Sequence, residues 1–352
     1  MKALINILFL LTALCACTSA PRSEGLLYAD FPQTWELKGK VITLDTALFR
    51  YPFRVRVQGD RVVVMDLHGA DYFCHVFHYP DFHYMASFGK RGEAPDEQIS
   101  VENIRWNGEY LWALDANKSE LARFGFALSG DSLLRQETVN LDKDVLRPLD
   151  FVAVDDSTFI IPDYSGDNRF CIVNRQGKLL HKMGTIPSSN EDALKNSRPA
   201  LAQAWRSFID YNPRNGVLAA VTQLGEVLEI YNLKDSTHVT RIGPHGEPKF
   251  QISQGYGFPT GIMGFSDVQV TDSAIYAVFH GRSFKEIAQN AQKGIDLPDG
   301  GQYVYIFSLT GEPLQKYVLE HYVYGISVDE EKGIILTTDV NKDEPIIKYE
   351  IK

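Results

Sequence analysis

The stretch Phe53-Arg-Val-Arg-Val-Gln-Gly-Asp-Arg-Val-Val-Val-Met-Asp66 decides the fold. Its first five residues alternate apolar with charged, the period of a strand with two different faces. Gln58-Gly59-Asp60 is a tight polar turn, where Gly accepts backbone angles closed to other residues and Asp bonds its own backbone. A more apolar strand follows and stops at an acid, and a third strand spans residues 72–79. The unit starts again at Val101-Glu-Asn-Ile-Arg105, Phe151-Val-Ala-Val154, Phe208-Ile-Asp-Tyr211, Ser266-Asp-Val-Gln-Val270 and Tyr324-Gly-Ile-Ser-Val328. Starts spaced by roughly 48 to 59 residues match the period of four-stranded propeller blades. The expected fold is therefore all-β, a six-bladed β-propeller.

Closure of the ring follows from what the last copy lacks. It holds only three strands, at residues 325–329, 333–339 and 345–351, while residues 33–44 read as a strand outside the six copies. An N-terminal strand completing the last blade removes the open edge of the ring. The expected organisation is a signal peptide at residues 1–16, a lipidated polar tether at 17–32 and one propeller domain at 33–352.

The N-terminus carries an address. Lys2 precedes an apolar run at residues 3–14, too short to span a membrane and suited to a signal peptide. Leu14-Cys15-Ala16-Cys17 then resembles the bacterial lipobox, which implies cleavage before Cys17 and lipidation of its thiol. Cleavage removes one positive charge, Lys2, so the formal net charge goes from −10 to −11. An acidic chain without a Lys/Arg run is a poor partner for nucleic acid, whose binding rests on phosphate neutralisation. Cys74 and Cys171 each follow a Phe in the third strand of their copy, so the pair reads as one blade position used twice. Non-adjacent blades keep two such thiols beyond disulfide reach, and both are expected buried and free.

The second strand ends in an acid in four copies: Asp66, Asp115, Asp163 and Asp339. Copies four and five carry Gln223 and His280 there instead. Asp339-Val-Asn-Lys-Asp343 imitates the start of a calcium loop, but Glu344 stands where that loop demands Gly. Recurrence in several copies favours a shared turn, the acids capping backbone N–H groups. His75 and His78 are three apart on a strand and point to opposite faces, so they cannot chelate one ion together. Among motifs of hydrolysis and nucleotide binding, HExxH, GxSxG and the Walker pattern do not occur.

Three stretches exceed what a propeller needs: residues 186–205, the Gly- and Pro-rich 243–264, and 280–301 with a helix expected at 283–292. Two join blades and one joins strands two and three within a blade, so all three emerge on one face, and loops of this kind carry function. Phe88-Gly-Lys-Arg-Gly-Glu-Ala-Pro-Asp-Glu97, between copies one and two, presents Lys90, Arg91 and Glu97 on a stiff loop. It serves either as a clamp for a carboxylate or sugar, or as an interblade latch, the latter favoured. His245, Tyr256, Phe258, Arg282 and Tyr322 complete the ligand-binding candidates of this face.

The run from Phe53 through Val63-Val-Met-Asp66 to Phe88-Gly-Lys-Arg-Gly-Glu-Ala-Pro-Asp-Glu97 resembles the TolB-like six-bladed propeller lipoproteins of the Bacteroides group, and the blade-end acids resemble NHL-type repeats. Ala94 stands where that group usually has Gly. The resemblance implies a lipid-anchored envelope propeller and supplies no catalytic residue. The reading is a binding or scaffold propeller, monomeric as a ring, engaging a peptide, glycan or protein partner on the loop-rich face without a cofactor. The alternative is a metal-dependent hydrolase or lyase holding a divalent cation in the central channel.

Overall fold

A computed structural model describes residues 25–44, 49–127 and 132–351. Six sheets follow one another along the chain. Blade one is built from Pro52–Gln58, Arg61–Asp66, Tyr72–His78 and Tyr84–Lys90, and its strands pair antiparallel in chain order. Blades two to five repeat this from inner strands at Asn103–Asn107, Val152–Ala153, Ser207–Asn212 and Phe265–Val270. The inner strand of each blade touches that of the next, and Ile326–Asp329 of blade six closes back on Pro52–Gln58. The chain is mostly β and forms the six-bladed ring expected from the repeat.

Blade six takes its fourth strand from the N-terminus. Lys40–Ile42 pairs antiparallel with Ile346–Glu350, in the register Ile346↔Ile42 and Ile347↔Val41. The ring is thus shut by hydrogen bonds between the two ends of the chain, as the missing strand of the last copy requires.

The stretch expected as a polar tether behaves differently where it is described. Leu26–Leu27 of that stretch pairs in parallel with the outer strand of blade four, while Thr34–Leu37, from the 33–44 stretch expected to complete blade six, pairs instead in parallel with that of blade five. Between them Tyr28 and Phe31 are buried. The Phe31 ring lies 4.5 Å from Tyr305 and 5.3 Å from Phe307, and Tyr28 lies 5.5 Å from Phe307. These two aromatic side chains, twelve and nine residues before the closing strand at Lys40, wedge the rim of blades four and five, and the added strands cover two sheet edges. Composition hid this, because the stretch is polar except at the residues that dock. Cys17 and the signal segment lie outside the described residues.

Large apolar side chains fill the spaces between blades. Trp112, Phe151 and Phe159 pack blade two on blade three; Phe170, Ile209 and Tyr231 pack three on four. Cys74 and Cys171 are both buried and free. They do not occupy one blade position, however. Cys74 pairs with Met65, one residue before the acid, and Cys171 with Ile161, two before it. A one-residue slip turns a strand side chain to the other face, so the thiols enter different interblade clusters.

The three long stretches form two short helices at Glu191–Asn196 and Arg198–Ala204, a hairpin of Phe250–Ser253 with Tyr256–Pro259, and a helix at Phe284–Gln292. Ser283 caps the last helix, its hydroxyl accepting from the Glu286 N–H, which is why that helix begins where it does.

Candidate functional site

The axis of the ring is charged. Arg54 and Arg56 alternate with apolar residues on the inner strand of blade one and so point the same way, toward the axis. Asp267 of blade five receives both: Arg56 donates two hydrogen bonds at 2.8 and 2.9 Å, and Arg54 Nε lies 3.5 Å away. Arg105 of blade two lies 3.1 Å from Asp150 and 3.8 Å from Asp210. The acids also stitch neighbouring blades together. Asp150 accepts from the Ile209 N–H at 2.9 Å, Asp210 from Val270 at 2.8 Å and Asp267 from Ile326 at 2.9 Å. Burial alone would raise the Asp267 carboxyl, but the Arg54 and Arg56 guanidiniums together hold it below its ordinary value. At Asp210 burial wins and the carboxyl is pushed up, against the pull of Arg105 and Arg56. A divalent cation, as the alternative reading requires, would compete here with three guanidiniums already seated on the carboxylates. The chemistry of the axis is that of a structural ion-pair core.

The face bearing the strand two to three loops and the blade connections is called upper here. There a cleft of about 270 Å³ opens. All three insertions reach it: the first gives Gln203, the second Gly257, Pro259 and Met263, and the third Phe284. Arg147 and Leu149 come from the connection between blades two and three, Tyr164 from the turn of blade three, and Arg206 and Gln223 from the top of blade four. The hairpin is held in place by contact: a Cβ at Gly257 would meet the Ala200 carbonyl at 2.8 Å, so only Gly lets it rest on the second helix. Burial raises the Tyr164 phenol, opposed by the charges of Arg206, Arg169 and Arg147 and reinforced by that of Asp150. The cleft can present guanidinium, amide and phenol groups beside an apolar wall, the composition of a small-ligand site.

The ligand candidates named from sequence lie outside the lining of this cleft. Arg91 donates through Nε to the Gly69 carbonyl at 2.8 Å and covers the Phe73 ring at 4.3 Å. Lys90 and Glu97 pair at 2.7 Å, and Glu97 also accepts from the Ala94 N–H. The loop is bridged to blade two by Lys118, which donates to the carbonyls of Ala94 and Glu97. This geometry is a latch, worked by Lys118 rather than by an acid paired with Arg91. His245 bonds the buried Glu226 through Nδ1 at 2.6 Å, and the Tyr28 hydroxyl donates to the same carboxylate at 2.8 Å. Arg282 and Tyr322 are brought together, guanidinium over ring at 5.3 Å. Tyr256 and Phe258 stand exposed on the hairpin beside Gly257.

The blade-end acids all bind backbone. Asp66 accepts from Arg50, Tyr51 and His68 N–H groups, Asp115 from Ile99, Asn117 and Lys118, Asp163 from Ser165 and Asp339 from Asn341. Lys182 lies 3.1 Å from Asp163. These are turn contacts; at Asp66 and Asp115 they also fix the entry into the inner strand.

No axis residue and no residue of the cleft lining is among the ligand candidates read from the sequence, although Gln223 stands out there as the residue replacing a blade-end acid. A signal existed for the first group, because Arg54 and Arg56 alternate within the repeat that identified the fold. For the cleft there was none beyond the three insertions, since its polar groups come one at a time from separate segments.

Comparison with known proteins agrees with this architecture. A protein of Bacteroides fragilis named as an exported protein superposes with a TM-score of 0.56 at 11% identity, over 93% of this chain and 99% of that one. A DUF4221 family member from Bacteroides vulgatus gives 0.58 at 10% identity, over 90% and 96%. No curated protein matches the sequence. The family model described as TolB-like 6-blade propeller-like matches residues 30–331. A repeat read from strands, a ring closed by the N-terminus and that match agree, and the chain belongs to the TolB-like six-blade propeller family.

Proposed function

We propose that this chain is a binding propeller of the cell envelope, anchored by a lipid on Cys17, that engages a peptide, glycan or protein partner in the upper-face cleft. The observation that carries the reading is convergence. Three insertions from different points of the chain meet at one opening, while the axis is filled by mutually paired charges. Loops added to a rigid scaffold on one face are where propellers and other ring folds place recognition. The envelope location is supported by the lipobox at Leu14-Cys15-Ala16-Cys17 and by the likeness to a protein named as exported.

Met263→Trp places an indole in the cleft. Immobilised protein should lose its retention of a component from envelope extract on this change, while its melting temperature stays within a few degrees. Equal retention by the variant contradicts the cleft as the site. The anchor is tested separately, by metabolic labelling with an alkyne fatty acid. Label should be present on the full chain and absent from Cys17→Ala, which should move to the soluble fraction. Label that persists in the variant rules Cys17 out.

A further inference from the structure

The cleft has an electrostatic character opposite to that of the chain. The formal net charge is −10, yet among the described residues the lining holds two arginines and no carboxylate. Arg147 is the more telling of the two. It is exposed, it stands at φ 49, in the left-handed region that a non-glycine residue seldom occupies, and no side-chain hydrogen bond or ion pair engages it among the described residues. Strained backbone of this kind gathers at ligand sites, where surrounding structure holds it in place. Among the described residues the Arg206 guanidinium pairs with Glu102 at a long 3.7 Å and lies 5.9 Å from the centre of the Phe208 ring.

Tyr164 lines the same cleft, and its hydroxyl is buried with no hydrogen-bond partner among the described residues. A buried, unpaired hydroxyl costs free energy unless something else completes it. Arg147, Arg206 and Tyr164 all line this one cleft. Two guanidiniums can only donate and a phenol O–H can add a third donor, and the acceptor matched by forked donors is a planar anion.

We propose that the upper-face cleft is a receptor for a carboxylate-bearing ligand, held by Arg147 and Arg206 and completed by the Tyr164 hydroxyl. This deepens the binding reading and rests on it. The carboxylate belongs to an acidic sugar or to a free peptide C-terminus; both offer the same planar anion. The Gln223 amide and the apolar wall of Met263 and Phe284 contact the rest of the ligand.

Titration calorimetry of the folded chain at low ionic strength tests this with two matched pairs: galacturonate against galactose, and acetyl-Ala-Ala against its C-terminal amide. At least one acid should bind about tenfold or more tightly than its neutral partner, as hydrogen bonds to a charged group imply. The pair showing the preference identifies the source of the carboxylate. Arg147→Asn, which removes the charge and suits a left-handed backbone, should abolish the preference. Tyr164→Phe should weaken the acid several-fold without lowering the melting temperature, because it deletes an unpaired buried hydroxyl. Equal binding of acid and neutral partner in both pairs overturns the proposal, and so does a preference that survives Arg147→Asn. If the preference is missing while Met263→Trp still blocks retention of envelope material, the cleft binds but not through a carboxylate; if both fail, the binding reading fails with it.

Discussion

Asp267 shows how single residues hold the ring. Its carboxylate accepts from the Arg56 guanidinium, lies beside that of Arg54, and bonds the backbone of blade six, all out of water. Arg54 is buried so completely that its guanidinium is pulled down to about 10, mainly by burial, against the attraction of Asp267. Asp267→Asn would leave two arginines facing each other without their anion, a loss of about 3–5 kcal/mol in unfolding free energy for a broken buried pair. The pH dependence carries a second signature. The folded carboxyl sits below its ordinary value of 3.8, so its stabilisation is complete above that pH and is lost as pH falls through the folded value. The variant should therefore show a lower melting temperature at neutral pH and a shallower decline below pH about 4. An unchanged melting temperature would mean that the pair contributes nothing net. Part of this device was legible, since Phe53-Arg-Val-Arg-Val57 shows two charges on one strand face. Its partner lies more than two hundred residues away in Ser266-Asp-Val-Gln-Val270, and no spacing rule connects them.

At the scale of elements, the N-terminal segment is the main addition to the expected fold. The strand–turn–strand repeat made the blades readable, because period-two alternation and Gly or Asp turns are local signals. The closing strand was readable by subtraction from the last copy. The docking of Tyr28 and Phe31 was not, since it depends on Glu226, Tyr305 and Phe307, which only the folded ring brings near. Glu226 now joins three parts of the chain: its own blade, the N-terminal segment through Tyr28 and the second insertion through His245. Phe31→Ala should cost about 3 kcal/mol in urea unfolding, as for a buried Phe. Trp35→Ala, on the half-exposed parallel strand two positions after Gln33, should cost well under that. Equal and negligible effects from both would restore the tether in place of the wedge.

The whole molecule divides its two faces by chemistry. The lower face is made of short hairpins such as Gln58-Gly59-Asp60, and its depression is lined by Gln58, Asp272, Glu330 and other polar groups of the hairpins. The upper face gathers the insertions, the left-handed Arg147 and the unpaired Tyr164 hydroxyl. That the insertions would share a face followed from loop classes in a propeller; which residues would line their meeting point did not, because each comes from a different blade top. The central claim is that ligand enters at the upper cleft. It is tested most directly by placing the photocrosslinker benzoylphenylalanine at Gln223, in the cleft, and at Asp272, on the lower face, and irradiating intact cells. A discrete crosslinked adduct is expected from position 223 and none from position 272. An adduct from position 272 with none from position 223 would contradict it.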